Sequence, residues 1–195
     1  MSRTPDPVAN LVDPSGQTAS RAATIFGSAR RAVNRIAETF SIETLSDDRS
    51  TSASNESSVV LYGQFDSKRF LTCGDAGQVA LFSAAHAADR FGFPLQDFDL
   101  VMIPHHGSRS NVGPTVLNRL FGFPMIFPEQ RFTAVVSASE QDPDHPRRVV
   151  LNAFKRRGGY WQTTEDGAFQ YRSDLPLHAG YSPVDEKPFF DMVED

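Results

Sequence analysis

The chain has 195 residues, a formal net charge of −5 and a single cysteine, Cys73. This length is sufficient for one domain with a substantial core, and the acidic balance argues against binding to nucleic acid or membrane surfaces through overall charge. One cysteine excludes an internal disulfide and a cysteine-rich zinc site, and it is compatible with a reducing compartment. The sequence has no apolar run of about 18 residues and no apolar secretory core at its N-terminus, so we expect a soluble, cytoplasmic protein.

The two ends of the chain differ in composition from its middle. Residues 1–19 are rich in Pro, Ser, Thr and Gly, which is typical of a flexible arm. Apolar residues at helical spacing then predict an amphipathic helix over about 20–40. The stretch 46–56 has no apolar side chain larger than Ala and predicts a flexible linker. We therefore expect the compact domain to span 57–172, followed by an acidic, Pro-rich tail over 173–195 that has no core pattern.

Strands and helices alternate within the compact domain. A β-hairpin is predicted around a polar turn at Asp66-Ser67, because runs of β-forming residues flank it. The hairpin strands lie near 58–62 and 69–72, and they are followed by a helix near 79–91, a buried strand over 98–103, a helix near 115–121, a strand over 133–137, a helix over 146–157 and two short strands near 160–163 and 168–171. This alternation predicts a layered α/β domain.

Polar side chains follow two of the predicted strands. Asp75 comes directly after the second hairpin strand, and His105 and His106 follow the buried strand over 98–103. Open α/β sheets place their sites where strands give way to loops, and carboxylate and imidazole groups are ligands that suit zinc. A metal-dependent hydrolase is therefore our first hypothesis. Taken singly, Asp75 is better explained as a helix N-cap, and an isolated pair of histidines in a loop is more often a packed or solvated element than a set of ligands.

Four segments carry a resemblance to a known family. LTCGDA, DLVMIPHHGSRS, SASEQDPDHPRRVV and TTEDGAF resemble the second half of a metallo-β-lactamase-fold hydrolase, and most closely the competence-type (ComEC-like) members that act in DNA uptake. The resemblance covers 57–172, roughly 60% of the chain. It implies a partial αβ/βα sandwich with a flexible N-terminal extension, and two metal ions, zinc or alternatively manganese, at one edge of the sheets.

The same resemblance implies roles for individual residues. Asp75 matches the aspartate that bridges the two metal ions, and His106 matches a terminal histidine ligand. His105 is then an alternative ligand or a substrate contact. The resemblance also implies a phosphodiester substrate, such as nucleic acid, although a fold alone does not determine function.

The family's first metal-binding signature, His-x-His-x-Asp-His, is absent, and the first 85 residues contain no histidine at all. A catalytic zinc needs three protein ligands and a water, whereas Asp75 and His106 supply two. Two explanations stay open. The chain is either a split hydrolase completed by an N-terminal half or complementing chain, or an inactive binding or regulatory module that docks a protein partner. An oligomer is compatible with both.

His145 lies just before Pro146 and resembles a late His-Pro element of the competence-type relatives. Two interpretations are evenly balanced. In one, His145 contacts the substrate or a developing charge. In the other, Asp144 or His145 caps a helix whose first turn contains Pro146. His86 and His178 are expected to be solvated.

Other residues invite hypotheses that we rank lower. Ser108 is expected to be a loop hydroxyl that bonds to backbone, and Cys73 a small packed side chain rather than a zinc thiolate. The last predicted helix carries five cations, most of them in its last turn: Arg147, Arg148, Lys155, Arg156 and Arg157. We expect them to be solvated, with those in the last turn favoured by the helix dipole, rather than to bind phosphates. Arg30, Arg31 and Arg35 on the N-terminal helix are either a docking element or an exposed face. The stretches 121–124 and 127–128, rich in Phe and Pro, predict a hydrophobic loop or a dimer contact.

Overall fold

The structure is a computed structural model that describes residues 24–29, 32–33, 42–172, 176 and 179–194. Residues 24–29 and 32–33 are helical, which agrees with part of the helix predicted over 20–40. The remainder of that helix, including its three arginines, and the predicted arm at the N-terminus lie outside the described residues. None of the helices in the described ranges has the length and apolar character needed to cross a membrane.

The described elements alternate between strands and helices. In chain order they are α1 (Ala53–Glu56), β1 (Leu61–Phe65), β2 (Lys68–Thr72), α2 (Gln78–Arg90), β3 (Leu100–Met102), a 3-10 turn (His105–Gly107), α3 (Pro114–Phe121), β4 (Phe132–Val136), α4 (Arg148–Arg156), β5 (Gly159–Thr163) and a second 3-10 turn (Thr164–Asp166). The strands form one five-stranded sheet in the order β1-β2-β3-β4-β5. The predicted α/β class is confirmed.

The predicted hairpin is present as β1 and β2, which pair antiparallel. Its two-residue turn has positive φ at Asp66 (43°) and Ser67 (64°). Two consecutive positive φ angles give the turn a twist that matches the twist of the flanking strands. The strands β2 to β5 are all parallel.

Each parallel step of the sheet passes through one helix. Because such crossovers are right-handed and the strand order is sequential, α2, α3 and α4 lie on the same face of the sheet. Side chains on that face are buried, as at Val101 (0% exposed). On the other face, neighbouring strands align a row of side chains, none of which is buried: Phe70, Leu100, Thr133 and Tyr160. We call this second surface the open face.

The three crossover helices take their N-terminal caps from distant carboxylates. Their own N-cap positions make no side-chain cap hydrogen bond. Instead, a backbone N–H in the first turn of each helix donates to an acidic side chain elsewhere in the chain: Ala80 to Glu56 (2.8 Å), Thr115 to Asp47 (3.1 Å) and Arg148 to Glu194 (2.9 and 3.0 Å). A carboxylate here also interacts favourably with the helix dipole.

These caps correct three expectations. Asp75 does not cap α2, whose N-cap is Gly77, and neither Asp144 nor His145 caps α4, whose N-cap is Arg147. The stretch 46–56 was expected to be a linker. In the structure, Ala53–Glu56 is helical behind an N-cap at Ser52, and the stretch supplies two of the three capping carboxylates.

The predicted strand over 168–171 is wrong, since these residues are irregular. After β5 the chain makes a 3-10 turn and reaches Gly167 at φ 111°. The following residues then lie across the open face instead of pairing with β5. Phe169 to Arg172 share a surface depression with Thr133, Tyr160 and Gln162.

The expectation that the last turn of α4 carries solvated cations is also wrong. Lys155, Arg156 and Arg157 are all buried, and Arg157 is fully so. Its guanidinium donates to both carboxylate oxygens of Glu43 at 2.8 Å, and to the Asn118 side chain at 2.7 and 3.1 Å. The burial arises because residues on both sides of the predicted domain cover this helix.

The tail covers the other side of α4, although its composition shows no core pattern. The Phe190 ring stacks on Trp161 with ring centres 5.6 Å apart. The Asn152 side chain exchanges two hydrogen bonds with the Phe190 backbone, at 2.8 and 3.0 Å. Lys155 donates to Glu186 at 2.9 Å. Alternating apolar and polar contacts therefore hold the tail on the helix and on β5.

We predict that Glu43→Ala lowers the free energy of unfolding by about 3–5 kcal/mol, because the fully buried Arg157 charge loses its ionic partner. Denaturant unfolding measures this change. The matched control is Asp97→Ala, which removes the partner of Arg69 at a site where the Asp97 side chain is 75% exposed. That change is expected to cost less than about 1 kcal/mol. Equal effects of the two substitutions would contradict the prediction.

We predict that acid weakens the docking of the tail. Lys155 lowers the pKa of the Glu186 carboxyl below its usual 4.5, first through its hydrogen bond and then through its charge. This contact therefore stabilises the docked tail above pH 4.5 and is lost as the pH falls through the lower, docked pKa. Trp161 fluorescence reports the loss of the Phe190 stack. In Glu186→Gln, the part of the change in Trp161 fluorescence that this carboxylate causes on acidification is expected to be absent.

Candidate functional site

Loops that follow three parallel strands meet at one edge of the sheet. The His105 backbone N–H, after β3, donates to the Gly74 carbonyl, after β2, at 3.0 Å. The His106 side chain contacts the Ser137 carbonyl, which follows β4. This is the carboxyl edge of the parallel strands, where open α/β sheets place their sites. Asp75 and the histidine pair, which the sequence analysis assigned to one site, therefore lie together at the carboxyl edge of β2 and β3.

The histidine loop has an unusual backbone. His105, His106 and Gly107 have φ angles of 45°, 54° and 79°, so that three consecutive residues are in the left-handed region. Non-glycine residues enter this region at a cost, and such residues cluster at functional sites. Gly107 is required for a second reason, since a Cβ there would lie 2.8 Å from Pro146 Cβ. The backbone at Gly107 therefore packs directly against Pro146.

His106 is exposed, and its Nδ1 lies 2.6 Å from the Ser137 carbonyl oxygen. A carbonyl only accepts, so Nδ1 carries the proton and donates it to this bond. The unprotonated Nε2 is then left with its lone pair. This is the tautomer that a metal-ligating histidine adopts when its second nitrogen is anchored on backbone.

His145 is half-buried, and its Nδ1 lies 3.0 Å from the Asp142 carboxylate. The pKa of Asp142 is lowered, first by the backbone N–H of Asp144 and then by the His145 imidazole. The carboxylate therefore stays ionised and accepts from Nδ1–H. As in His106, the Nε2 atom of His145 is left without the proton when the ring is neutral.

His105 is held by Asn111, a side chain with no exposed surface. The Asn111 amide nitrogen donates to the carbonyls of Asp75 (2.7 Å) and Ala76 (3.4 Å), so its oxygen faces His105 Nδ1 at 2.9 Å. We assign the proton to Nδ1 on this basis. The Asn55 amide nitrogen donates to Thr51 Oγ1 at 2.6 Å and also lies 3.1 Å from His105 Nδ1, so the assignment follows the shorter contact with Asn111.

The three imidazoles form one cluster, which we call the histidine cluster: His105, His106 and His145. Ring centres are 5.9 Å apart for His105 and His106, and 6.1 Å apart for His105 and His145. Every Nδ1 lies within hydrogen-bond distance of an acceptor, and no Nε2 has a hydrogen-bond partner among the described residues. The structure thus brings together three of the four site residues that the sequence predicted.

Asp75, the fourth predicted site residue, joins the cluster through its backbone. Its carbonyl accepts from Asn111, and its half-buried carboxylate accepts no hydrogen bond from the described residues. Among those residues, no group of three or more His, Cys, Asp or Glu side chains is arranged to hold a metal ion. Asp75 and the histidine cluster therefore do not form a closed metal site by themselves.

Two residues of the site were missed in the sequence, Asn111 and Asn55. Asn111 stands before an apolar Val in the loop to α3, where an Asn looks like an ordinary turn residue. Asn55 lies in the polar stretch interpreted as a linker. No spacing rule indicates either contact, since Asn55 is 50 residues from His105.

The lower-ranked candidates fall outside the cluster. Burial raises the pKa of Cys73 to about 12, so a thiolate ligand is disfavoured. Ser108 Oγ accepts a long hydrogen bond from the Ser110 backbone at 3.4 Å, as expected of a loop hydroxyl. His86 is exposed on α2 with its ring 5.3 Å from Phe82. The prediction for His178 lies outside the described residues.

Comparison with known proteins does not place the chain in a family: no family model, no curated protein and no solved structure matches it.

We predict that Asn111 determines the tautomer of His105. Asn111→Leu has a similar volume but no acceptor, so the His105 Nδ1–H form is expected to give way to a mixture of tautomers. Asn111→Asp keeps the acceptor and is expected to keep the Nδ1–H form. Nitrogen NMR shifts of the His105 ring distinguish these forms.

The control for this experiment is Asn152→Leu, which removes another fully buried amide, but one that binds the tail. Both leucine variants are expected to lose about 1–3 kcal/mol of stability, and only Asn111→Leu is expected to change the His105 ring. An unchanged tautomer in Asn111→Leu would refute the assignment.

Proposed function

We propose that the edge carrying Asp75 and the histidine cluster is one half of a metal-dependent hydrolase centre. This proposal rests on one observation, which is that the three imidazoles have the same pattern of hydrogen bonding. Each Nδ1 lies close to a carbonyl, amide or carboxylate oxygen to which we assign its proton, and no described residue forms a hydrogen bond with the Nε2 atoms, which are left as possible metal ligands. Histidines that ligate metals are oriented by such second bonds.

The donor types fit zinc, but the described residues do not complete a zinc site. Imidazole nitrogen and carboxylate oxygen are both good zinc ligands. However, three such groups are not arranged around one point in the described part of the chain. Two zinc ions, or manganese, therefore require further ligands.

The open face supports the proposal that a second layer supplies those ligands. A sheet covered by helices on one side buries its second side against another layer in stable layered folds. Here Phe70 is 37% exposed, and Leu100 is only partly buried. A second sheet packed on this face would give the αβ/βα sandwich of the metallo-β-lactamase fold. We propose that an N-terminal half or a complementing chain provides this sheet and a His-x-His-x-Asp-His motif.

Within the complete centre, Asp75 would bridge the ions and His106 would be a terminal ligand. His105 and His145 would contact the substrate, for which we propose a phosphodiester such as nucleic acid. When bound, the metal would supply an activated water for hydrolysis. A reducing compartment such as the cytoplasm is proposed as the location, since the lone cysteine is a buried thiol.

A second candidate function, a binding module without catalysis, is favoured by one observation. The loop after α3 exposes three large apolar side chains, Phe123, Ile126 and Phe127, the last of them 88% exposed. Apolar residues this exposed and this close in sequence are typical of a docking surface. The last turn of α4 offers no cations to such an interface, because Lys155, Arg156 and Arg157 are buried.

We predict that the purified chain binds added zinc weakly, and that Asp75→Ala and His106→Ala each reduce its affinity at least about tenfold. Isothermal titration with zinc, and then with manganese, measures the effect. His86→Ala is the matched control, because it removes an exposed histidine that lies on a helix outside the cluster. Circular dichroism verifies that each variant remains folded.

Two results would contradict the metal-centre proposal. One is the absence of zinc binding to the parent chain. The other is equal zinc binding by His106→Ala and His86→Ala. A folded chain that binds no metal and loses a protein partner on Phe127→Ser would instead support the binding module.

A further inference from the structure

One edge of the sheet is left without a partner. Strand β1 is the first in the sheet order, and in the described residues no strand pairs with its outer side. The opposite edge, at β5, is flanked by the tail, since Gln162 Nε2 donates to the Asp185 carbonyl and Phe190 stacks on Trp161. The described part of the chain thus has one open sheet edge.

The β1 edge has none of the features that normally prevent strand pairing. Soluble proteins protect sheet edges with charges, prolines or bulges. Residues Leu61–Phe65, with the sequence LYGQF, contain no charged residue and no proline, and they pair with β2 in continuous register. Leu61 and Phe65 are 57% and 74% exposed. This strand is therefore competent to add another strand.

Exposed apolar side chains flank the β1 edge on both faces of the sheet. On the open face, Leu61 and Phe65 lie beside Phe70, whose ring crosses over Gly63. On the helix face, the exposed Phe93 stacks on Tyr62 with ring centres 4.9 Å apart, and the exposed Phe91 lies next to Phe93.

Below these rings, a cavity of about 280 Å³ lies between β1 and α2. Pairing of two strands through backbone hydrogen bonds does not require apolar side chains on both faces of the sheet, or a cavity at the same edge. They are the features of an interface that extends beyond the backbone hydrogen bonds.

We propose that the β1 edge joins two copies of this chain, with β1 of one copy antiparallel to β1 of the other about a twofold axis at Gly63. In this register Leu61 of each copy lies opposite Phe65 of the other, so both cross-strand pairs on the open face are apolar. Gly63 meets itself at the axis, where the Phe70 ring of each copy lies over the glycine on the open face.

A second copy fits the β1 edge better than an unrelated strand for two reasons. The LYGQF strand is complementary to itself when reversed, as an isologous interface requires. The pairing also ends at two copies, since the β5 edge is flanked by the tail and offers no equivalent strand. The result is a closed dimer with a continuous ten-stranded sheet. This inference does not depend on the metal-centre proposal, because it uses neither Asp75 nor the histidine cluster.

Sedimentation velocity and light scattering over a range of concentrations test the dimer. The full chain is expected to change from one to two copies of its 21.5 kDa mass, and to go no further. The double variant L61K/F65K places like charges opposite each other at both pairs and is expected to weaken dimerisation at least about tenfold. The double variant L61K/F65E places opposite charges there and is expected to restore much of it.

The matched control is Val79→Lys, which adds a charge to an exposed apolar position on α2 and is expected to leave the dimer unchanged. A parent chain that stays monomeric at all concentrations would overturn the proposal, as would assembly beyond two copies. Dimerisation of L61K/F65K as strong as that of Val79→Lys would also overturn it. If L61K/F65E dimerises no better than L61K/F65K, the proposed register is wrong. Zinc titration of the same samples distinguishes failure of the dimer from failure of the metal centre.

Discussion

The fold depends on finding acceptors for the N-termini of three helices. Each helix begins with backbone N–H groups that have no partner inside the helix, and Gly77, Gly113 and Arg147 provide no side-chain cap. Glu56, Asp47 and Glu194 meet this need from segments that flank the sheet. Because crossover helices begin near the carboxyl ends of strands, these carboxylates also anchor the flanking segments around the candidate site. Asn55 reaches His105 as a direct result.

The alternation of strands and helices was predictable because it depends on local patterns in the sequence. The hairpin turn, the apolar period of α2 and the buried strand before His105 all depend on residues close in sequence. The caps and the buried cations were not predictable in this way. Asp47 caps a residue 68 positions away, and Glu43 pairs with Arg157 across 114 positions. Short polar segments look like linkers, and a cationic helix end looks solvated, until their distant partners are known.

The candidate site was predictable to the same extent. Strand ends indicated that Asp75 and the histidine pair belong to one edge, and the structure adds His145 to that edge. The tautomer of each histidine ring depends on a contact with Ser137, Asp142 or Asn111, and no spacing in the sequence specifies these contacts. Two further surfaces lie outside the site. Within the described residues, the irregular segment 169–172 crosses the open face but no second sheet covers it, and no strand pairs with the outer side of β1.

The left-handed backbone of the histidine loop has a thermodynamic consequence. A non-glycine residue in a sparsely populated φ/ψ region costs about 1–3 kcal/mol, and the loop holds two such residues in succession. Hydrogen bonds that join the loop to the Asp75 segment, to Ser137 and to the start of α4 offset this conformational free energy when the chain folds. The imidazoles are therefore preorganised. A ligand that reaches them finds the rings already oriented, and little of its binding free energy is spent on ordering the loop.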